Sequence, residues 1–382
     1  MGFLSDSAVI IQIGFHNPAM SKTLAGGPAG RSTIYEVAAT AGVSIKTVSR
    51  VMRNEAKVSA ETRERVHQAM RSLDYVPHPA ARSLASTVPT VIGLLTARPV
   101  DFQAARRGGE YRMYLQMGAM AAALPLGFGL RLVPADMAVE DTADALIAVA
   151  RSGAVGGYLI APPGAENRAL LDRLVQADVA VAVVGTAHAP EGCAVATTDD
   201  RAAMRQLTQR VIALGHRRIA IIGGRPSWHA AAQRLAGCLD AFAGAGMAVD
   251  ESLIASNAFD FEAGQAAARQ LLARPDRPTV ILACTDDSAA GTIGVAQEMG
   301  IAVPEALSVT GFDDFELARK MCPALTTVRQ PVERLAELAT RRLIGQLQPW
   351  RRDIAAQPLR VELSCDIVQR QSLAPPPAGH DS

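Results

Sequence analysis

Basic and hydroxyl side chains between residues 45 and 53 have a spacing that would bring them to one face of a helix. They occupy positions i, i+3, i+4 and i+7 of that segment, as Lys46, Ser49, Arg50 and Arg53. Guanidinium and ammonium groups donate hydrogen bonds to phosphate oxygens and to the edges of guanine bases. An opposite, apolar face is available for burial, formed by Val48, Val51 and Met52. The segment is therefore predicted to be a helix that contacts DNA in the major groove.

Two more helical segments are predicted around this helix, and their ends carry suitable capping residues. Ser32 or Thr33 can cap the first helix, and Gly42 suits the left-handed residue that ends it. Ser44 and Ser59 can cap the second and the third. Because caps, tight turn and basic face occur together, residues 32–76 are predicted to form a helix-turn-helix domain rather than an ordinary three-helix bundle.

The charge of the chain is unevenly distributed. Residues 31–86 contain nine Lys or Arg and five Asp or Glu, a balance of +4, whereas the whole chain of 382 residues has a formal charge of +1. A local basic region on a near-neutral protein is typical of localised nucleic-acid contact. The five cysteines have no metal-ligand spacing, so neither a metal site nor a cofactor is predicted. Without a transmembrane run or a signal peptide the protein is expected to be cytoplasmic, and residues 1–31 are predicted to be a disordered extension.

Beyond residue 90, apolar strand-like runs alternate with helical segments. The runs are VIGLL (91–95), LRLVP (130–134), VGGYLIA (155–161), VAVAVVG (179–185), RIAIIGG (218–224), TVILACT (279–285) and LSVTGF (307–312). Buried strands that alternate with helices form parallel, doubly wound sheets. These strands are too many for one ordinary sheet, so we predict an α/β core of two doubly wound subdomains.

The sequence resembles the lactose-repressor (LacI/GalR) family of bacterial transcriptional regulators from about residue 32 to residue 370. The segments that carry the resemblance are YEVA (35–38), AGVS (41–44), TVSRV (47–51), TRERV (62–66), YVP (75–77) and ARSL (81–84). The resemblance implies a DNA-binding headpiece, a hinge helix within residues 77–89 and a core similar to periplasmic sugar-binding proteins. It also implies a repressor that binds a palindromic operator as a homodimer and is controlled by a small effector. The proline-rich residues 373–377 cannot form the leucine-heptad helix of the family's tetramers, which favours a dimer.

The expected DNA contacts divide into base reading, phosphate contact and a minor-groove wedge. Ile45, Lys46 and Arg50 are expected to face base edges. The residues expected to contact phosphates are Thr33, Thr47, Ser49 and Asn54. In the family a leucine of the hinge helix enters the minor groove at the centre of the operator, and Leu84 is the matching residue.

The family's core has a ligand cleft between two subdomains, and the chain crosses between them three times. The crossings are expected near residues 190–196, 319–325 and 350–357. The core is thus predicted to cover residues 90–372. Its amino-terminal subdomain would contain 90–192 and 323–352, and its carboxyl-terminal subdomain 193–320 and 356–372. Residues 373–382 are predicted to be a disordered tail.

The residues expected to bind the effector combine aromatic, amide and charged side chains. They are Tyr111, Gln116, Trp228, Arg234, Phe259 and Asp286. Arg234, Phe259 and Asp286 match the arginine, the aromatic residue and the aspartate through which the family contacts its ligands. An aspartate after a strand can instead be a helix cap, and Arg234 can instead form an interdomain salt bridge. Gly185 and Thr186 stand where many family members have a polar residue, so one effector contact is expected to be missing or replaced.

Aromatic faces combined with guanidinium and carboxylate groups are typical of sugar sites, so a carbohydrate or sugar acid is the expected effector. A purine-like corepressor is the alternative. Two other classes of protein remain open at this stage. An enzyme on a doubly wound fold lacks a nucleophile elbow, an HExxH motif and a dinucleotide fingerprint, so no catalytic residue is assigned. A sugar-binding protein without DNA-binding activity would leave the basic helix unexplained.

Overall fold

The computed structural model describes residues 32–52, 58–75, 89–97, 108–135, 141–256, 259–348 and 359–377. These residues belong to two compact units, which divide between Val76 and Pro77. Asn54 and Leu84, two of the predicted DNA contacts, lie outside the described residues, as does the predicted extension of residues 1–31.

The first unit contains the three helices that the sequence predicts: α1 (Ile34–Ala41), α2 (Ile45–Met52) and α3 (Ala60–Ser72). Thr33 and Glu36 cap the start of α1 reciprocally, since the Glu36 carboxylate accepts from Thr33 N at 2.6 Å and Thr33 Oγ1 accepts from Glu36 N at 3.4 Å. Gly42, with φ of 63°, ends α1 in the left-handed conformation that glycine adopts without steric cost. The small core is aliphatic and includes Val37, Val48, Val51 and Val66.

The first lobe of the second unit is a six-stranded parallel sheet. Its strands are β1 (Val91–Ala97), β2 (Gly129–Ala135), β3 (Gly157–Ile160), β4 (Ala180–Val184), β5 (Ala194–Thr198) and β11 (Arg360–Leu363), in the order β11-β5-β4-β3-β1-β2. Helices α4 (Gly109–Ala123) and α12 (Val332–Leu347) share the core on one face. Helices α5 (Thr142–Arg151) and α6 (Arg168–Gln176) share the core on the other. Gly118 permits α4 to touch α12, because a Cβ there would collide with the Glu333 carbonyl.

The second lobe is a four-stranded parallel sheet covered by helices on both faces. Its strands are β6 (Ile219–Gly223), β7 (Ile254–Ser256), β8 (Val280–Ala283) and β9 (Ser308–Thr310), in the order β7-β6-β8-β9. Helices α7 (Asp200–Ala213) and α8 (His229–Gly244) cover one face. Helices α9 (Phe261–Leu272) and α10 (Asp286–Glu298) cover the other. After the short helix α11 (Glu316–Lys320), strand β10 (Thr327–Arg329) pairs antiparallel with β12 (Asp366–Val368).

The chain crosses between the lobes later than the sequence predicts at all three places. β5 still belongs to the first sheet, so the first crossing follows Thr198 and not residues 190–196. The second lies at residues 330–331, between β10 and α12, and the third at residues 364–365, between β11 and β12. The sequence AVATT of β5 is small and rich in threonine, and β11 is an edge strand with an alternating pattern. Neither therefore has the continuous apolar run by which most of the other strands were predicted.

The carboxyl-terminal segment is ordered further than predicted. Residues 373–377 are described, and Leu373 is buried in the core of the second lobe. Ala374 is held by backbone bonds, with its N donating to Ser308 Oγ at 3.1 Å and its carbonyl 2.8 Å from His216 Nε2. Proline excludes a helix here but not an extended segment whose own backbone groups bond to side chains of its neighbours. The predicted disordered tail is thus wrong for residues 373–377.

Candidate functional site

The exposed face of α2 carries the residues that the sequence assigns to DNA. Lys46 is exposed, and 40% of Ile45 is exposed although it is a large aliphatic side chain. Ser49 and Arg50 are half-buried on the same helix. Thr47 approaches the start of the helix, where its hydroxyl lies 2.9 Å from Ser44 Oγ. An apolar side chain left exposed beside cationic ones is typical of a surface that meets thymine methyl groups and phosphates.

A cavity of about 340 Å³ lies between the carboxyl ends of the strands of the two sheets. Residues at the ends of β3, β4 and β5 and in the segments after β3 and β4 line it from the first lobe, including Pro162, Glu166, Gly185 and Thr198. Asp200, at the start of α7, lines it from the second lobe. Residues that follow the strands of the second sheet line it from the other side, including Trp228, Phe259, Asp287 and Asp313. Doubly wound sheets bind ligands at this edge, and small-molecule sites have volumes of about 300–1,000 Å³.

Arg234 supplies a buried cation to this cavity, with 4% of its surface exposed. Its Nη1 donates to the Cys284 carbonyl at 2.6 Å. Its Nε lies 3.6 Å from Asp200 Oδ2, and its Nη1 lies 3.9 Å from Asp313 Oδ1. These distances fit ion pairs but exceed hydrogen-bonding range, so Nε lacks a hydrogen-bond partner in the described part of the chain. Burial alone would lower the pKa of Arg234, but the two carboxylates raise it above its ordinary value.

Asp313 reaches the cavity from a strained turn after β9. Asp313 and Asp314 both have positive φ, 130° and 59°, a conformation that costs about 1–3 kcal/mol for a residue with a side chain. The turn is held by Asp313 N, which donates to Val328 O at 2.7 Å, and by the Asp314 carboxylate, which accepts from Arg329 Nε at 2.7 Å. Gln330 Nε2 donates to Asp313 Oδ1 at 2.5 Å. Strain of this kind at a cavity is typical of a binding position.

Asp286 does not line the cavity, contrary to the sequence prediction. It is 1% exposed, and both oxygens are used inside the protein. Oδ1 accepts from Thr327 Oγ1 at 2.6 Å, and Oδ2 accepts from Phe315 N at 3.0 Å. Burial, followed by the charge of Asp313, raises the pKa of Asp286 well above its ordinary value. Asp286 therefore braces the turn that carries Asp313, while its neighbour Asp287 lines the cavity.

The predicted aromatic residues do line the cavity. Trp228 and Phe259 meet edge to face with ring centres 5.7 Å apart, and the guanidinium of Arg234 lies 5.3 Å from the Phe259 ring centre. On its other side, that guanidinium lies 3.7 Å from the ring centre of Phe312. Tyr111 reaches the cavity from α4, and burial raises its pKa. The site thus combines apolar ring faces with the buried guanidinium of Arg234, which lies beside two carboxylates.

Gln116, the remaining sequence candidate, is not among the lining residues. It lies on α4 one residue beyond Leu115, which does line the cavity, and a helix turns by about 100° per residue. Gly185, where the sequence predicts a missing or replaced effector contact, lines the cavity. A Cβ at Gly185 would lie 3.3 Å from the Tyr111 hydroxyl. The phenol group therefore occupies the space that a side chain at position 185 would need.

Sequence reasoning missed five acidic residues that line the cavity, namely Glu166, Asp200, Asp260, Asp287 and Asp313. Each follows the carboxyl end of a strand, and that position was the available signal. Asp200 was not predicted as a cavity residue because β5 was not predicted. Asp313 was not predicted as a cavity residue because its Gly-Phe-Asp-Asp segment was interpreted as structural.

Two family models match the chain. The model described as bacterial regulatory proteins, lacI family, matches residues 33–78, and the one described as a periplasmic binding protein-like domain matches residues 208–373. The HTH-type transcriptional regulator CelR of Thermobifida fusca is 31% identical over 358 residues, which cover 90% of this chain and 98% of that protein. The chain belongs to the LacI family. Both the family and the fold class predicted from the sequence are thereby confirmed.

Other LacI-family proteins extend the comparison. The HTH-type transcriptional repressor PurR of Erwinia tasmaniensis is 33% identical over 352 residues, covering 91% of this chain and 98% of that protein. A solved structure described as a transcriptional regulator CelR–cellobiose complex has a TM-score of 0.66 at 30% identity and covers 90% of this chain and 100% of that chain. As a LacI-family member, the chain is a DNA-binding transcriptional regulator rather than an enzyme. Among the described residues, no helix is both long and apolar enough to cross a membrane.

Proposed function

We propose that this LacI-family regulator is a repressor that binds a palindromic operator as a homodimer and is controlled by a neutral, polyhydroxylated effector, most simply a sugar. The observation that carries the effector assignment is the cavity at the carboxyl ends of both sheets, which is lined by the buried Arg234 and by aromatic rings. The headpiece supports the operator assignment through Ile45, Lys46 and Arg50 on one helix, with Thr33, Thr47, Ser49 and Asn54 as phosphate contacts. Leu84 is proposed as the minor-groove wedge of the hinge.

Base reading by Arg50 can be tested directly. A bidentate arginine–guanine pair discriminates against other bases by about 1–3 kcal/mol. Arg50→Ala is therefore expected to relax specificity at one symmetric pair of operator positions, while other positions keep their preference. Selection of binding sites from a random DNA pool, with wild type and variant in parallel, measures this. Recovery of the same motif with both proteins would assign Arg50 to phosphate contact instead.

The charges of the cavity favour a neutral sugar over a sugar acid. Three arginines and five carboxylates line it, which gives a formal charge of −2. Arg234 already has two carboxylates beside it. A phosphate or carboxylate on the ligand would meet uncompensated acids, whereas hydroxyl groups can donate to them. The Trp228 and Phe259 rings offer apolar faces to the C–H surface of a sugar ring.

Thermal unfolding of the full chain in the presence of candidate ligands tests this assignment. A ligand at a hundred times its Kd stabilises the native state by about 2.7 kcal/mol. Cellobiose, gluconate and hypoxanthine represent a neutral sugar, a sugar acid and a purine. A rise in melting temperature with cellobiose but not with gluconate is expected. Cellobiose serves as the neutral sugar because it is the ligand in the CelR complex.

A purine-type corepressor is the second candidate. The similarity to PurR proteins and the adjacent Trp228 and Phe259 rings favour it, since a planar base can stack on an aromatic face. A response to hypoxanthine with no response to cellobiose would decide for this alternative. In that case ligand would be expected to tighten operator binding, which a gel-shift titration would show.

The proposed homodimer has a candidate face on the first lobe. Four large apolar side chains of α4 and the turn after it remain 37–56% exposed at positions i, i+4, i+7 and i+11: Met113, Met117, Met120 and Leu124. The edge strand β2 adds Leu132, which is 50% exposed. An apolar stripe beside an open sheet edge favours association.

A charge placed in this stripe is expected to separate the dimer. Met117→Glu buries a carboxylate if the face is an interface, so the variant should be monomeric at concentrations where wild type is dimeric. Val249→Glu is the matched control, because Val249 is 45% exposed but lies in the second lobe between α8 and β7. Light scattering after size-exclusion chromatography gives the mass. A Met117→Glu dimer as stable as wild type would place the interface elsewhere.

A further inference from the structure

Helix α8 begins without a side-chain cap of its own. Trp228 occupies the N-cap position and makes no side-chain hydrogen bond to the first turn. The first backbone N–H of the helix, at His229, instead donates to Glu166 Oε1 at 3.1 Å. Glu166 belongs to the first lobe, where it follows β3, whereas α8 belongs to the second. A carboxylate from one lobe thus caps a helix of the other, where the helix dipole favours an anion.

Two histidines meet beside this contact, one from each lobe. The rings of His188 and His229 lie edge to face with centres 4.5 Å apart. The segment that carries His188 is held to the first lobe, because Arg168 donates to its carbonyl at 3.2 Å and Arg360 donates to Ala187 O and Ala189 O at 2.9 and 2.8 Å. His229 Nδ1 is buried and has no hydrogen-bond partner among the described residues. The histidine pair is therefore an interlobe contact and not a local one.

We propose that Glu166 is a positioning residue that holds the two lobes together by capping α8 across the cleft, and that the His188–His229 pair makes this contact proton-dependent. Glu166 acts through the helix, because α8 also carries Arg234. The position of the Arg234 guanidinium in the cavity therefore follows from whether this interlobe cap is closed. The inference relies on the proposed function only in treating Arg234 as an effector contact, and its test needs no effector.

The direction of the pH effect follows from the groups around the contact. The charged and titratable side chains that face it are Glu166, His188, His229, Arg168 and Arg225. Burial and then the charge of His188 lower the pKa of His229 below its ordinary value of 6.5. Because the closed contact disfavours protonated His229, the contact is stable above about pH 6.5, the ordinary pKa of histidine. The contact is lost as the pH falls below that value. Burial also raises the pKa of Glu166, which by itself favours the closed contact at lower pH, so the loss expected on acidification comes from the histidine pair.

Trp228 provides a probe at the contact itself. The chain has two tryptophans, so a Trp350→Phe full-length protein leaves Trp228 as the single reporter. Acrylamide quenching of Trp228 should be weak at about pH 8 and should increase about twofold or more at about pH 5.5, as the lobes separate. His229→Gln retains the backbone donor but not the titrating ring, so its quenching should stay the same across this range. Glu166→Ala should be strongly quenched at both pH values, and Glu166→Gln, which keeps an acceptor, should restore weak quenching at the higher pH.

The controls separate this role from a general loss of structure. Glu262→Ala removes an exposed carboxylate from the first turn of α9 in the second lobe, and it should behave as wild type. Should Glu166→Ala fail to fold by circular dichroism, the pH profiles of Glu166→Gln and His229→Gln decide the question. Wild-type quenching in Glu166→Ala, or an unchanged pH step in both His229→Gln and His188→Gln, would overturn the proposal. Neither result would bear on whether a sugar binds in the cavity.

Discussion

Replacing Arg234 by methionine is expected to destabilise the core by ~3–5 kcal/mol and to abolish the effector response, because the change removes one member of a buried charge cluster. Arg234 lies 3.6 Å from Asp200 and 3.9 Å from Asp313, and the side chains of all three are at most 10% exposed. Without the guanidinium, two buried carboxylates lose their cation. Urea unfolding of the full chain, followed by far-ultraviolet circular dichroism, measures the stability.

A matched arginine on the surface provides the control for this experiment. Arg201 pairs with Asp240 through two hydrogen bonds of 2.7 and 2.8 Å, but its side chain is 53% exposed. Exposed ion pairs contribute about 0–1 kcal/mol, so Arg201→Met should shift the urea midpoint little. The double variant Arg234→Met/Asp313→Asn should recover part of the loss, since it leaves one unpaired carboxylate fewer. Equal losses in Arg234→Met and Arg201→Met would show that the buried cluster adds nothing beyond a surface pair.

Asp313→Asn is expected to make the core more stable than wild type at neutral pH, with a difference that disappears on acidification. Burial raises the pKa of Asp313 from its ordinary value of 3.8 to about 7. A carboxyl with a raised pKa contributes stability that is fully present below its unfolded value and lost as the pH rises through its folded value. The wild-type free energy of unfolding should therefore fall, relative to the variant, between about pH 4 and about pH 7. The full shift corresponds to a difference on the order of 4 kcal/mol.

Unfolding in urea at several pH values across this window tests the prediction. Asp240→Asn is a control of opposite sign, because its hydrogen bond from Arg201 lowers the pKa of Asp240 and that stabilisation is lost as the pH falls. The same Asp313→Asn protein should bind the effector less tightly, by about tenfold to a hundredfold, if hydroxyl groups donate to the carboxylate. A stability difference that does not change with pH would show that Asp313 keeps an ordinary pKa in the folded protein. Unchanged ligand affinity would exclude it from the effector site.

Local sequence determined the headpiece almost completely. Thr33, Gly42, Ser44 and Ser59 act within a few residues of their own position, through caps and a left-handed turn, and the structure has them in these roles. The exposure of Ile45 and Lys46 follows from helical periodicity alone. In the core, continuous apolar runs predicted most strands, and the doubly wound class followed from their alternation with helices. These features depend on contacts between near neighbours in the chain.

The cavity depended on distant contacts, and there the sequence was insufficient. Position after a strand marks both Asp286 and Asp287, yet bonds from Thr327 and from the backbone of Phe315 turn Asp286 into the protein. Those partners lie 41 and 29 residues away in the chain. Asp313 entered the cavity because its turn is bonded to β10, not because of its neighbours in sequence. Long-range hydrogen bonds decide which of several acidic residues faces the cleft. A local sequence pattern carries no information about such bonds.

The lobe crossings and the interlobe cap were decided in the same way. β5 becomes a strand through pairing with β4 and β11, and β11 through pairing with β5, although neither β5 nor β11 has an apolar run of its own. Glu166 and His229 are 63 residues apart, and neither belongs to a recognisable motif. The sequence by itself determined the family, the three helices of the headpiece and the kinds of side chain that reach the cleft. Only the tertiary structure decided which carboxylates line the cavity and which one joins the lobes, because a buried or bridging carboxylate is stable only where distant donors converge on it.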